Sequence, residues 1–238
     1  GYGGVSGTGT GPGQGYGYMP RPYGDLKHPR QPGSAGGRTN TGYVHGAGGA
    51  VLVEATGHVT VDGTITAVGD TGSNTSRGTC SGGGIEIDCE TISGSGTVRA
   101  PSAGNGSPTG LGGGGRIAVH YDVAKQKLLE KPTISFDVSS GSQYGQNQKT
   151  LQYHNTSQPR GECGTVYFPD DQLLHCDPIN VSGQIYMDEP KWSVPSLGIY
   201  DRTVMFPQDG FELTVAGDDL VVVPLPEEKI LQKHDRVA

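Results

Sequence analysis

Long apolar runs, basic clusters and aromatic residues are all scarce in this sequence. No apolar stretch approaches the ~20 residues of a membrane-spanning helix, so we expect no insertion into a membrane. The net charge is −7, and the 17 lysines and arginines form no basic run. Proteins that bind nucleic acid usually carry such a positive patch. We therefore expect no nucleic acid among the partners of this chain.

Familiar catalytic and cofactor-binding motifs are also missing. The chain has no G-x-S-x-G nucleophile motif, no H-E-x-x-H zinc motif and no EF-hand loop. One loop combines Asp170, Asp171, His175 and Asp177, a set that could bind a metal or transfer protons. We interpret it as a solvated acidic corner. The prediction is therefore a protein without enzyme activity, cofactor or metal.

Glycine, in contrast, is abundant, with 42 residues, and it marks an internal repeat. "GGAVLVEA" begins at Gly48, "GGGIEIDC" at Gly82 and "GGGRIAVH" at Gly113, and "CGTVYF" from Cys163 is a weaker fourth copy. The first three copies are 34 and 31 residues apart. A repeat of about 30 residues with three short strands suits one coil of a parallel β-solenoid. We predict an all-β parallel β-solenoid (β-helix) with glycine-rich corners; a β-sandwich is the alternative.

Each repeat alternates apolar and other residues with the period of two that is typical of strands. We expect the inward residues of successive coils to stack in ladders. We expect the outward positions of the aligned strands, here called the first outward row, not to form a charged cleft. The inward set is Val51, Val53, Ile85, Ile87, Ile117 and Val119, and the outward set is Leu52, Glu86 and Ala118, with Arg116 also on the outer side. The glycine corners are expected to allow close stacking of coils, with positive φ at some positions.

Four segments follow from this pattern. Residues 1–47 form a Gly/Tyr-rich part packed on the solenoid, and residues 48–187 form the coils, with a polar insert at 139–162. Residues 188–225 supply C-terminal closing strands, and 226–238 form a charged tail. One helix is predicted over residues 122–131, stopped by Pro132.

Four cysteines have gaps that do not match C-x2-C metal spacing. We expect the disulfides Cys80–Cys89 and Cys163–Cys176, although three connectivities are possible and four buried free thiols are the alternative. Four of the six asparagines lie in N-x-S/T frames: Asn74, Asn105, Asn155 and Asn180. We expect N-linked glycans there, with Asn105 the weakest site, and hence a secreted glycoprotein; chance matches in a Ser/Thr-rich sequence are the alternative.

The phrases of the first 168 residues follow one another in a recognisable order. "GYGG", "YGDLKHPRQPGSAGG", "VLVEATGHVTVDGTITAVG", "GGGGRIAVHYD" and "GTVYF" occur in turn. This order resembles a glycine-rich repeat module of very large secreted and surface proteins of bacteria and protists. The resemblance implies a β-helix-like module of adhesin or extracellular-matrix type, without catalytic residues. The polar insert and the four cysteines depart from that module.

These observations predict a structural, non-catalytic subunit of a glycosylated extracellular filament or cell-surface appendage. Copies of the chain itself would be its partners, joined at strand edges or end to end, because the open ends of a solenoid present unpaired backbone groups. An adhesin or carbohydrate-binding module of a large surface protein is the first alternative. A polysaccharide-active β-helix enzyme is the second.

Overall fold

The structure, a computed structural model, describes residues 22–35, 46–70, 80–102, 112–140, 161–200, 202–217 and 220–223. Within these ranges the regular secondary structure is mostly β, with almost no helix. The elements are β1 (Ala50–Glu54), β2 (His58–Thr60), β3 (Thr64–Thr66), β4 (Gly84–Asp88), β5 (Thr91–Ser93), β6 (Thr97–Arg99), β7 (Arg116–His120), α1 (Val123–Gln126), β8 (Ser135–Asp137), β9 (Thr165–Phe168), a 3-10 turn (Asp171–Leu173), β10 (Val181–Met187), β11 (Lys191–Val194), β12 (Leu197–Tyr200), β13 (Val204–Met205), β14 (Glu212–Val215) and β15 (Leu220–Val223).

The strands stack in rows, and every ladder between them is parallel. The first row runs β1, β4, β7, β9, β10 and β13, and another row runs β3, β6, β8 and β10. Strand β10 belongs to both rows, so they join in one nine-stranded sheet. The remaining ladders pair β2 with β5, β11 with β14 and β12 with β15. The chain therefore winds in a solenoid-like manner, and an antiparallel sandwich does not describe it.

The third coil replaces its middle strand by helix α1, which is shorter than the predicted 122–131 helix. Asp122 caps it, since its side chain accepts a hydrogen bond from the Lys125 N–H. The buried Gln126 then serves strand β5: its Oε1 accepts from the Ile92 N–H at 2.8 Å, and its Nε2 donates to the Ile92 carbonyl at 3.0 Å. One side chain thus satisfies the backbone groups that a neighbouring strand would otherwise have paired.

The core lies inside the coils and is formed by the predicted inward ladders. Val51 is in register with Ile85, Ile85 with Ile117, and Ile117 with Val166. From the second coil onward these residues have no exposed surface. Phe136 and Phe168 meet edge to face with their ring centroids 4.8 Å apart, which packs two rows against each other. The period of two in the sequence therefore identified the residues of the inner face correctly, although Glu86 and Ala118 of the outer face are also without exposed surface.

Glycines stack in a column at one corner of the coils. A Cβ atom on Gly83 would lie 1.8 Å from the Gly49 carbonyl oxygen, one on Gly115 would lie 2.1 Å from that of Gly83, and one on Gly164 would lie 1.8 Å from that of Gly115. The expected close stacking is thus confirmed. None of these glycines has a positive φ, so space rather than backbone conformation requires them. Gly183, the next residue of the column, and the corner Gly94 do have positive φ, at 150° and 118°, which confirms the expectation at some positions.

The C-terminal third continues the coils, because β13, β14 and β15 each pair in parallel with a strand about 20 residues earlier. Residues 22–35 of the predicted N-terminal part lie on the sheet. The tail 226–238 and the insert, apart from residues 139, 140, 161 and 162, lie outside the described residues. Among the described residues no helix is both long and apolar enough to cross a membrane.

Candidate functional site

Residues 22–35, which we call the strap, cross the outer face of the first row of strands. The strap covers Glu86 of β4, whose side chain has no exposed surface. Arg30 donates from Nε to Glu86 Oε2 at 2.7 Å and from Nη2 to Oε1 at 3.0 Å. His28 Nδ1 lies 2.9 Å from the same Oε1. Burial raises the pKa of Glu86, but these hydrogen bonds outweigh it and hold the pKa below its ordinary value.

A second ion pair ties the strap to the neighbouring strands. Lys27 Nζ lies 2.6 Å from Asp188 Oδ1, and the Tyr167 hydroxyl donates to Asp188 Oδ2 at 2.8 Å. The Lys27 ammonium also lies 4.8 Å from the centre of the Tyr167 ring. Burial and the Asp188 carboxylate raise the pKa of the Tyr167 phenol. Both charged side chains are about half exposed, so this contact adds orientation more than stability.

Arg116 anchors the other end of the strap. Its guanidinium donates from Nη1 to Thr165 Oγ1 at 2.9 Å and from Nε to the Tyr23 carbonyl at 3.2 Å. Only 8% of the residue is exposed. Arg116 thus lies on the outer side of the sheet, as expected, but the strap covers it, so its side chain is buried there.

Aromatic rings fill the space between these charges. The rings of His28 and His120 stack with centroids 5.2 Å apart and an angle of 15° between their planes. His120 in turn lies 5.3 Å from the Tyr167 ring. Its Nε2 is 2.6 Å from the Lys27 carbonyl oxygen. A carbonyl oxygen only accepts, so Nε2 carries the proton and the lone pair of a neutral ring is on Nδ1.

The first outward row, expected to carry no charged cleft, is thus polar and charged once the strap is included. Of the outward residues Leu52, Glu86 and Ala118 only Glu86 is charged, and the strap brings His28 and Arg30 to it from 58 and 56 residues earlier in the chain. An isolated Glu86 between two buried isoleucines in β4 was the available signal. A carboxylate in that position requires a partner, but nothing in the sequence says which.

The acidic loop does not form a single site. Asp170 caps the 3-10 turn and accepts a hydrogen bond from the Tyr121 hydroxyl. His175 uses its Nε2 to bond the Pro132 carbonyl at 2.7 Å. Asp170 and Asp171 instead line a cleft of about 630 Å³ together with Asp188, Glu189, Lys191, Trp192 and Glu212, among other residues. The cleft lies beside the strap face, since Asp188 contributes to both.

Neither expected disulfide is formed, and all four cysteines are free thiols. Cys80 and Cys89 flank β4, whose five residues span about 16 Å at ~3.3 Å each. A disulfide needs Cα atoms within about 7 Å. Cys163 and Cys176 are likewise separated by β9 and the 3-10 turn. Burial raises the pKa of Cys89 to about 11, so this thiol is not a ready nucleophile.

The structure argues against a glycan on Asn180. The residue is only 8% exposed, and its Nδ2 donates to the Ile134 carbonyl at 2.7 Å and to the Leu173 carbonyl at 2.8 Å. Its Oδ1 accepts from the His175 N–H. N-glycosylation would replace a proton of this nitrogen, so the expectation at Asn180 is corrected. The other three predicted acceptors, Asn74, Asn105 and Asn155, lie outside the described residues.

The fold and this surface define a solenoid-like, parallel β protein with a polar face closed by a strap. No family model, curated protein or solved structure matches the chain.

Proposed function

We propose that the chain is a structural, non-catalytic subunit of a glycosylated extracellular filament or cell-surface appendage, with a parallel β-helix as its body and copies of itself as partners. The observation that carries this proposal is the open edge of the first described coil. Strands β1, β2 and β3 each pair with a strand on one side, and no described strand pairs with the other side.

The hydrogen bonds of β1 identify the groups on that edge. The Ala55 N–H donates to the Asp88 carbonyl, and the Gly84 N–H donates to the Gly49 carbonyl. Odd-numbered residues of β1 therefore bond to β4. In a parallel ladder the alternate residues turn both their N–H and C=O the other way, so Ala50, Leu52 and Glu54 present these groups to the free edge. Such an edge is a template for another strand.

Among the described residues, the apolar interior is incompletely covered at the same end. Four residues of the first coil are only partly buried, although their register partners in the second coil have no exposed surface. The pairs are Val51 and Ile85, Val53 and Ile87, Val59 and Ile92, and Ile65 and Val98. A covering layer would complete this core, and in this proposal the last coil of a second copy supplies that layer. Such a contact is head to tail and repeats as a filament.

Assembly can be tested with two charge substitutions of exposed leucines. Leu52 on the free edge is 46% exposed, and Leu128 after helix α1 is 84% exposed. We expect wild-type chain to form fibres or oligomers in negative-stain images and light scattering. Leu52→Lys should shorten them, whereas Leu128→Lys should behave as wild type. A wild-type chain that stays monomeric at every concentration, or equal effects of both changes, would overturn the proposal.

The extracellular and glycosylated parts rest on the sequence. The resemblance to secreted repeat modules and the acceptors Asn74, Asn105 and Asn155 support them. Free thiols withdraw the support that disulfides would have given. Mass spectrometry of natively expressed protein before and after glycosidase treatment tests glycosylation: hexosamine on any of the three asparagines supports it, and unmodified peptides at all three contradict it.

A carbohydrate-binding module is the second candidate, and the cleft favours it. Its size of about 630 Å³ falls in the range of small-ligand sites, and its carboxylates could accept hydrogen bonds from sugar hydroxyls. On a glycan array, this function predicts binding that Glu212→Ala in the cleft abolishes and Glu54→Ala outside it preserves. No binding by the wild-type chain would exclude this candidate.

A further inference from the structure

We propose that His28, Glu86 and His120 form a binding site for a divalent late transition-metal ion such as Zn²⁺. The bound ion would fasten the strap to the sheet. One ligand atom from each of the three residues lies within 4.8 Å of the other two. They form the one such group of three among the described residues. Two imidazoles and one carboxylate are a ligand set that zinc accepts, with a further position open to water.

The sheet register places two of the ligands. Glu86 in β4 is opposite Ala118 in β7, and Asp88 is opposite His120. Glu86 and His120 are therefore diagonal neighbours on the same outer face, within reach of one another for long side chains. His28 approaches from the strap, above both. A bound ion would thus join three distant chain segments, β4, β7 and the strap.

The hydrogen bonds leave suitable lone pairs. The Lys27 carbonyl holds His120 by Nε2 at 2.6 Å, which leaves Nδ1 as the ligand atom. A backbone carbonyl on the second ring nitrogen is the usual support of a metal-bound histidine. His28 Nδ1 and Glu86 Oε1 are 2.9 Å apart. Two ligands of one zinc ion, each ~2.1 Å from it, are about 3.0–3.4 Å apart, so the ion takes the place of the proton between them.

The charges around the site are compatible with binding of a cation at modest affinity. Arg30 keeps Glu86 Oε2 at 2.7 Å, and its second contact, to Oε1, has to yield to the ion. Its positive charge weakens binding, while Glu54, 3.6 Å from the same guanidinium, offsets part of it. The His28 side chain is 58% exposed, which gives the ion a path from solvent.

The test is zinc binding by the full chain, purified without a histidine tag, measured by calorimetry and by competition with a chromophoric chelator. We expect one Zn²⁺ per chain at this site, and a loss of affinity of 10-fold or more in His28→Ala and in His120→Ala. His58→Ala is the matched control, because His58 bonds the Thr91 and Ser93 hydroxyls and, among the residues that the structure describes, has no carboxylate partner. Its affinity should equal that of wild type.

A second measurement separates binding from folding. Zn²⁺ should raise the thermal midpoint of the wild-type chain and of His58→Ala, and leave that of His28→Ala unchanged. His28 is on the exposed strap, so this variant should fold normally, as circular dichroism in metal-free buffer can check. No zinc binding by wild type at 1 mM, or binding that neither His28→Ala nor His120→Ala reduces, would overturn the proposal.

Discussion

Arg30 and Glu86 form a two-point contact, with Nε 2.7 Å from Oε2 and Nη2 3.0 Å from Oε1. The carboxylate has no exposed surface, whereas the guanidinium is half exposed. The strap therefore supplies the hydrogen-bond donors that most carboxylates receive from solvent. It converts the outer face of the sheet from an open strand surface into a closed polar layer.

Removing this carboxylate should destabilise the fold. Glu86→Ala loses charge-assisted hydrogen bonds and leaves a space under the strap, and we expect a cost of about 2 kcal/mol. Glu54→Ala is the control: Glu54 faces the same arginine at 3.6 Å but is 61% exposed, so we expect a change within about 0.5 kcal/mol. Urea unfolding of both variants measures this. Equal costs would mean that the Glu86 contact does not stabilise the fold.

The same contact makes the free energy of unfolding depend on pH. The folded-state pKa of Glu86 is below its ordinary value of 4.5. Its contribution is therefore fully present above about pH 4.5 and declines as the pH falls through the lower, folded-state value. Asp188 acts in the same direction, because its pKa is also lowered: hydrogen bonds from Lys27 and Tyr167 outweigh the effect of burial.

Glu86→Gln tests this acid dependence, since glutamine keeps the shape without the titrating group. Unfolding free energies measured at several values from about pH 7 to about pH 3 should fall less steeply for Glu86→Gln than for wild type. A wild-type protein as stable at the acid end as at neutrality would contradict the assignment, as would an unchanged slope in the variant.

The sequence predicted the coils better than the surface. The coils depend on two local patterns: glycine corners every 31 to 34 residues, and valines and isoleucines at the inward positions of the strands. Each pattern reflects a constraint that acts over a short stretch of chain. The strap was not predictable in this way. His28 and Arg30 reach Glu86 across 58 and 56 residues of chain, and no period or motif connects them.

The cysteines show that closeness in sequence does not imply closeness in space. In an extended coil, eight intervening residues keep Cys80 and Cys89 apart instead of bringing them together. We expect all four thiols to be alkylated in denaturant without reductant. In the native state Cys176, the least buried of the four, should react first. Mass spectrometry of iodoacetamide-treated protein measures both, and two protected pairs in denaturant would restore the disulfides.

The glycine column allows a comparison between two equivalent corners. Gly49 and Gly115 occupy the same place in the first and third repeats, but a Cβ on Gly115 would lie 2.1 Å from the Gly83 carbonyl oxygen, whereas one on Gly49 would meet no atom within 4 Å. Gly115→Ala forces two coils apart and should cost about 3 kcal/mol. Gly49→Ala removes freedom from the unfolded chain without a clash, so it should be neutral or stabilise by up to about 1 kcal/mol.

Thermal and urea unfolding at a concentration where the chain is monomeric compares the two glycine variants. Equal stabilities would show that coil spacing does not require glycine at this corner. Gly49→Ala, although harmless to the stability of the monomer, should impair assembly. If a second copy stacks on the first coil, as proposed, an added methyl group there meets the incoming chain as it would at Gly115. Gly49→Ala should then fold as well as wild type and form fewer fibres, and undiminished fibres would place the contact elsewhere.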